Sequence, residues 1–549
     1  MIVPLKHQSA LPLDRLILRE PPDDEAMPLD VLFVGAGPAG LAGAIRLAQL
    51  VRKDAEAGGS LGEIEIGVLE KAASLGEHSM SGAVINPRSL RDLFPDLQDS
   101  DLPLRGKVED ERLLWLGEKS QTRLPMPGTM NNHGNYVASI CEIVRWLGEK
   151  AQEMDVNVFE GFPAESLLAE GEKVIGVRTT ATGLDRESQP GSGYMPPNDL
   201  TARVTVLCDG TRSALSQAYR TWQKISSPNP QIYALGVKEI WESPQKLDGI
   251  IHTMGWPLPT NAFGGSWIYP MGENLISLGL VVGLDYRQST LDVHEMLQRM
   301  KDHPLLAGLL EGGKMLEWGA KTIPEGGLHS LPERLHGDGI LIAGDAAGLV
   351  DVPSLKGIHY AIQSGIFAAE SAFRALKDDD TSQAGLAHYD ETLRASYVYE
   401  DLKRTRNMRL AFKSGFYAGG VKAGLMTLTG GAFPGGRIET PEDAAEPRDV
   451  TPAQEFKPDG KRSFSKVDAV FYAGNKTRDD IPAHLTVGQD VSGDVAEFYE
   501  HLCPAGVYER DGDKLVVNPP NCIDCKATDV LGPRWNPREG GSGPAYKQM

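Results

Sequence analysis

Asp30-Val-Leu-Phe-Val-Gly-Ala-Gly-Pro-Ala-Gly-Leu-Ala-Gly-Ala44 is the stretch on which the fold turns. Val31 to Val34 are apolar and read as a buried strand. They run into Gly35, Gly37 and Gly40 at G-x-G-x-x-G spacing, after which Leu41 to Val51 carries a helical pattern. The first glycine permits a tight turn, the second lets backbone approach a pyrophosphate, and the third lets helix and strand pack closely. Free N–H groups and the dipole at the helix N-terminus favour phosphate there. Gly35, Ala36, Gly37, Pro38, Ala39 and Gly40 are therefore candidate contacts for a dinucleotide.

The 549 residues are too many for one core and predict two to four domains. With 41% apolar and 24% charged residues the chain is an ordinary globular one. A formal charge of −20 argues against a nucleic-acid partner, which wants a basic face. Cys141 and Cys208 stand alone in apolar surroundings and read as core thiols. Cys503, Cys522 and Cys525 crowd into the C-terminal end, which points to a metal site in a reducing compartment rather than to disulfides. Met1 to Leu29 has no apolar core of a secretion signal, and no window reaches the ~18 apolar residues of a membrane span. A cytosolic or membrane-peripheral protein is expected.

In chain order, a polar insert from Arg52 to Gly62 precedes a second strand, Glu63 to Leu69, ending in Glu70-Lys71. An acid in that place bonds the adenosine ribose, which makes Glu70 and Lys71 candidate contacts. The small-residue loop Gly76 to Val84 can lie against a flat ring, with Ser81 and Gly82 as candidates. A stretch with strand-like pieces (106–135) and an amphipathic helix (136–155) follow. Strands at 156–159, 165–168 and 174–180 lead to Arg203-Val-Thr-Val-Leu-Cys-Asp-Gly210, where Asp209 can close the dinucleotide site or merely make a turn.

From Ile232 to Gly283, Trp241, Trp256, Phe263, Trp267 and Tyr269 interleave with Gly255, Gly264 and Gly265. A sheet pressed on a planar ligand has this composition, and so does an ordinary sheet core, which composition alone favours. Leu291 to Leu310 reads as a helix pair broken at Pro304. Gly339-Ile-Leu-Ile-Ala-Gly-Asp-Ala-Ala-Gly348 is a second strand–turn, followed by a helix from Lys356-Gly357 to Lys377. Asp345, after Gly344, can hold a polyol chain, while the positive end of that helix faces an electron-rich ring. This late partner selects FAD over NAD.

Leu402 to Gly436 mixes Lys403, Arg404, Arg406, Arg409, Lys413, Lys422 and Arg437 with apolar residues. Both a membrane-interface segment and an internal helical pair with solvated charges fit it. Glu439 to Asp459 reads as a linker. Beyond it, Cys522 and Cys525 at C-x-x-C spacing and the upstream Cys503-Pro504 resemble a ferredoxin-type thiolate framework. The place of a fourth cysteine is Thr528.

The sequence as a whole resembles the electron-transfer flavoprotein–ubiquinone oxidoreductase family, of bacterial type, from about Asp30 to the C-terminus. The resemblance is carried by Gly35-Ala-Gly-Pro-Ala-Gly40, His133-Gly-Asn-Tyr136, His252-Thr-Met-Gly-Trp-Pro257, Phe263-Gly-Gly-Ser266, Pro482-Ala-His-Leu485, Cys503-Pro-Ala-Gly-Val-Tyr508 and Gly541-Ser-Gly-Pro-Ala-Tyr546. It implies a mixed α/β and α+β architecture: a discontinuous, Rossmann-like FAD-binding domain, a β-rich quinone and membrane domain, and a small ferredoxin-like iron–sulfur module. The expected boundaries are an N-terminal extension (1–29), the two parts of the FAD domain (30–230 and 326–400), the quinone domain (231–325), a membrane-surface segment (401–438), the linker (439–459) and the cluster module (460–549).

The resemblance also implies quinone contacts at Phe263, Gly264 and Gly265, with Phe263 where the family usually has tyrosine. It implies a 4Fe-4S cluster on Cys503, Cys522 and Cys525, with Thr528 or Asp529 as fourth ligand. A three-iron cluster or an empty site are the alternatives that Thr528 leaves open. The expected enzyme takes electrons from electron-transfer flavoprotein and passes them to ubiquinone or menaquinone, peripherally bound at the cytoplasmic face of a bacterial inner membrane. A geranylgeranyl-reductase or hydroxylase-like FAD enzyme shares the flavin motifs but needs no cysteine module. A cluster-less redox scaffold is the non-enzymatic rival.

Overall fold

Met27–Val34 is the central strand of a nine-stranded sheet. The computed structural model from which this is read describes residues 1–82 and 84–549, so Ala83, inside the 76–84 loop, lies outside the described residues. Met27–Val34 pairs in parallel with Ile66–Glu70 on one side and Asp199–Leu207 on the other. Asn157–Glu160 extends one flank and Ile340–Ile342 adds, also in parallel, to Asp199–Leu207. The segments 31–34, 204–207 and 340–342 are buried runs, apolar but for Thr205, as strands covered on both faces tend to be. The antiparallel pair Ala164–Glu170 and Lys173–Thr179 continues the sheet.

Helix Pro38–Glu56 lies against helix Ile358–Lys377. Their approach is set by glycine, because a Cβ on Gly365 would fall 2.0 Å from the Ala39 carbonyl oxygen. The expected helix over 136–155 begins only at Ile140, where the Ser139 side chain caps it by accepting the Glu142 N–H; Tyr136–Val137 is a short strand instead.

A second sheet of seven strands runs Lys314–Pro324, Tyr233–Glu242, Leu275–Gly283, Gly264–Gly272, Ile250–Gly255, Glu111–Leu116 and Gln121–Leu124. The last two come from the stretch that sequence left irregular. Its aromatic residues are largely core: Trp241, Trp267 and Tyr269 are buried, and the Trp267 ring occupies the space a Cβ on Gly279 would need. Phe263 and Trp256 keep partial exposure. The two helices expected around Pro304 are Val293–Met300 and Pro304–Leu309.

The 439–459 stretch holds no helix or strand beyond the short turn Asp443–Ala445, yet it is packed down. Arg448 is fully buried and donates to the carbonyls of Leu284 and Asp443 at 2.7 and 2.9 Å, and its backbone pairs with Ile2. The C-terminal module, with a hairpin turning at Gly512, shares one apolar core with the seven-stranded sheet, including Trp318, Phe498 and Tyr499. Among the described residues no helix is long and apolar enough to cross a membrane.

Candidate functional site

The three fingerprint glycines do three different things. Gly35 adopts φ +109°, and a Cβ there would lie 2.5 Å from the Cys208 carbonyl oxygen. A Cβ on Gly40 would lie 2.0 Å from the Gly35 carbonyl oxygen, so strand and helix touch through it. Gly37 caps the helix, and nothing stands within 4 Å of where its Cβ would project. That open face at a helix N-terminus suits a pyrophosphate.

Around this turn the other candidates gather. Glu70 ends its strand and accepts the N–H groups of Ala36 and Ala72 at 3.2 and 2.8 Å, which ties the fingerprint loop to the second strand. Burial raises its carboxyl above the usual value. Asp209 is opposite, where burial lifts its carboxyl to about 6; Ser216 donates to Oδ1, while Oδ2 is buried without a partner. Gly344 is left-handed (φ +66°), and its N–H is held by Ser364 Oγ at 2.9 Å. The Asp345 carboxylate accepts Thr211 Oγ1 at 3.2 Å. Gly357 caps the long helix, and Lys356 Nζ is buried against Asn132 Oδ1 and the Ser354 carbonyl, its pKa lowered by burial to about 8. The Ser81 carbonyl accepts the buried Lys238 ammonium at 3.0 Å, and the Cβ position of Gly82 is open. An orphaned carboxylate oxygen, an open glycine and two helix N-termini on one sheet edge fit a flavin dinucleotide.

Phe263, Gly264 and Gly265 lie at the start of the middle strand of the second sheet, Gly264–Gly272. A Cβ on Gly264 would meet the Val281 carbonyl oxygen at 2.3 Å, and one on Gly265 the Thr253 carbonyl oxygen at 2.9 Å. Phe263 stacks on the Arg409 guanidinium at 4.0 Å and meets Phe412 with ring centroids 5.1 Å apart. Phe412 in turn touches Phe416, the first residue of helix Phe416–Leu428. That helix exposes Tyr417, Val421 and Leu428 at 72, 68 and 85%. The mixture of basic and apolar residues there is only partly a surface. Arg409 is buried between Asp285 (3.0 Å) and Glu325 (2.6 Å), and Lys413 pairs with Asp285 and Glu446, because three buried or half-buried acids demand counter-charges.

Cys503, Cys522, Cys525 and Thr528 line one cavity, together with Tyr508 and Lys526. All three thiols are buried and pushed up, Cys522 to about 12. Backbone N–H groups oppose that rise: Ala505 and Val507 at Cys503, Asp524 at Cys522, Ala527 at Cys525. Three converging thiols bathed in amide donors suit an iron–sulfur cluster, whose sulfurs take such bonds. Asp529 is otherwise engaged, with Oδ2 at 3.0 Å from Arg212 Nε and Oδ1 accepting the Trp535 N–H at 2.9 Å. Cys141 and Cys208 are buried core thiols that do not line this pocket.

The cavity is joined to the dinucleotide cradle by residues that sequence reading passed over. Asp524, between the two cysteines, is buried and accepts Lys71 Nζ at 2.6 Å, Trp535 Nε1 at 2.9 Å and Arg538 at 2.9 Å. Lys71 thus points to the cysteine loop, and lies 4.8 Å from the Trp535 ring. From strand Lys314–Pro324 of the second sheet, Lys321 Nζ and the Thr322 N–H reach the carbonyls of Asp524 and Cys525. Arg212, three residues beyond Asp209, and Asp524, between the two cysteines, carried no signal of their own.

Comparison with known proteins gives two family matches. One described as ETF-QO, ubiquinone-binding, covers residues 233–323; the other, described as electron transfer flavoprotein-ubiquinone oxidoreductase, 4Fe-4S, covers 460–547. The chain is 37% identical over 555 residues to the mitochondrial electron transfer flavoprotein-ubiquinone oxidoreductase of Bos taurus, spanning 95% of this chain and 89% of that one. It is 36% identical to the protein of that name from Oryza sativa subsp. japonica, over 96 and 94% of the two chains. Among solved structures, a geranylgeranyl bacteriochlorophyll reductase-like protein of Thermoplasma acidophilum gives a TM-score of 0.58 at 20% identity, over 74% of this chain and 96% of that one. A triple mutant of the flavin-dependent brominase Bmp2 gives 0.52 at 16%, over 74 and 94%. These two likenesses are of fold.

Proposed function

The chain belongs to the electron transfer flavoprotein–ubiquinone oxidoreductase family, and from that premise we propose that it takes electrons from reduced electron-transfer flavoprotein and passes them, by way of an iron–sulfur cluster and FAD, to a membrane quinone. The observation that carries this reading is the double tie between residues 522–529 and the flavin cradle: Lys71 to Asp524 at 2.6 Å and Arg212 to Asp529 at 3.0 Å. A module fixed to both strand-end turns of the flavin site is built to exchange electrons with it. The reductase-like rival has no use for such a module.

Bound FAD supplies a carrier that holds one or two electrons. The protein's part is placement. Gly37 and the helix end behind it receive the pyrophosphate, Glu70 the ribose, and Asp345 the polyol chain, while the end of helix Ile358–Lys377 stabilises negative charge on the ring. Cys503, Cys522 and Cys525 hold the cluster. Phe263, with Gly264 and Gly265 behind it, offers a flat apolar face to a quinone, ubiquinone or menaquinone. Phe412 and Phe416 continue that face to the exposed apolar helix, which supports peripheral docking on a bilayer, for this chain the cytoplasmic face of a bacterial inner membrane.

Anaerobic rapid mixing with reduced electron-transfer flavoprotein tests the reading. Bleaching of the bound flavin is expected. Bleaching by NADPH instead, with no response to the flavoprotein, contradicts it and favours the reductase reading.

A further inference from the structure

Three thiols and Thr528 line the same cavity, and Thr528 is where the chain departs from a four-cysteine framework. The spacing Cys522-x-x-Cys525-x-x-Thr528 puts Thr528 where the third cysteine of such a run would stand. The structure keeps it there: Thr528 is buried at the start of helix Ala527–Leu531 and walls the cavity alongside all three cysteines. The replacement changes the chemistry of that corner. A thiol gives up its proton to become a soft anionic ligand for iron. An aliphatic hydroxyl keeps its proton and offers iron only a neutral oxygen.

No neighbouring carboxylate makes good the loss. Asp529 stands one residue on, but one oxygen is bonded to Arg212 Nε and the other to the Trp535 N–H. Turning it into the cavity would strand the Arg212 guanidinium, which is largely buried and has this carboxylate as its ion-pair partner. Asp524 is likewise spent on Lys71, Arg538 and Trp535. The Tyr508 hydroxyl walls the same cavity and, like that of Thr528, offers a protonated oxygen, and His484 is the imidazole nearby. Its ring is buried with neither nitrogen bonded, and it lies within 4.8 Å of Cys522 Sγ and the Asp524 carboxylate. It sits with these two groups, whereas Thr528 is in the cavity wall.

Resting on the cluster reading above, we propose that the corner of the site facing Thr528 is an exchangeable metal position: three irons are fixed by Cys503, Cys522 and Cys525, and the fourth is released and rebound without loss of the others. Release is a balanced one-electron step. The dicationic four-iron core passes one electron to an added oxidant such as ferricyanide and one Fe2+ to solution, leaving a monocationic three-iron core. Ferrous iron with a one-electron reductant reverses it.

The test uses the full chain, purified without oxygen, beside Thr528→Cys. One equivalent of ferricyanide is expected to free one iron in four from the unaltered protein and to raise the paramagnetic signal of an oxidised three-iron cluster. Added 57Fe2+ with reductant should then label a single subsite in the Mössbauer spectrum. Thr528→Cys should keep all four irons under the same oxidant and take up no label. Thr528→Ala, which removes the oxygen and keeps the packing small, should behave as the unaltered protein. Two results overturn the proposal: retention of all four irons by the unaltered protein, or nitrogen hyperfine coupling that disappears in His484→Ala and assigns the fourth ligand there. Absence of iron and sulfide from both the unaltered protein and Thr528→Cys overturns the cluster reading itself.

Discussion

Lys71 Nζ lies 2.6 Å from a carboxylate oxygen of Asp524, so the residue after the candidate ribose acid is bonded into the loop between two cysteines. Asp524 is buried, and Arg538 and Lys71 hold its carboxyl well below the usual range. Breaking a buried charge network by removing one partner costs about 3–5 kcal/mol. Asp524→Ala is therefore expected to lower the free energy of urea unfolding by that order and to reduce bound iron. Lys71→Met, which leaves Asp524 with Arg538 and Trp535, should cost less. The sign with pH follows from the depressed carboxyl. Its contribution is complete above about pH 4, the unfolded value, and is lost as pH falls toward the folded one. Denaturation of Asp524→Ala and the parent should converge at low pH.

The fingerprint glycines separate binding from folding. Gly40→Ala puts a carbon 2.0 Å from a backbone oxygen and should cost stability with or without flavin. Gly37→Val meets no protein atom but fills the open face. Its apo melting temperature should match the parent's, while flavin absorbance is lost on gel filtration.

Asp443 supplies a pH dependence of opposite sign. Burial raises its carboxyl to about 7, and Oδ2 accepts the Tyr233 N–H at 2.7 Å. A carboxyl raised on folding favours the fold below the unfolded value and costs stability as pH climbs through the folded one. Asp443→Asn keeps an acceptor and removes the charge. Its urea midpoint should rise relative to the parent between pH 4 and 8, by at most about 4 kcal/mol in free energy.

The exposed face of helix Phe416–Leu428 gives the lipid test. Val421→Asp with Leu428→Asp should reduce co-sedimentation with anionic vesicles roughly tenfold or more, as two large apolar side chains are worth about 1.5–3 kcal/mol each when buried. Turnover with a water-soluble short-chain quinone should be unchanged.

How much of this was legible in sequence depends on the range of the interactions. The fingerprint and the 339–348 turn are local devices, and glycines with positive φ or blocked Cβ positions announce them. The 106–135 stretch gave only strand-like pieces, and its place in the second sheet was hidden because Glu111–Leu116 pairs with Ile250–Gly255, more than a hundred residues away. The 439–459 stretch has the composition of a linker, yet the long-range bonds of Arg448 and Asp443 pin it. For Arg409 and Lys413 the sequence left a membrane interface and an internal helical pair both open, because their acids, Asp285, Glu325 and Glu446, are remote in the chain. Nothing local indicated that Lys71 would reach Asp524.

The most direct test of the account is to supply reduced electron-transfer flavoprotein and a short-chain quinone to the purified protein without oxygen, and to measure quinol. The account predicts one quinol for every two electrons delivered, dependent on the flavoprotein and lost when Gly37→Val removes the flavin. Protein that holds flavin and iron, accepts electrons from the flavoprotein and still forms no quinol would contradict it.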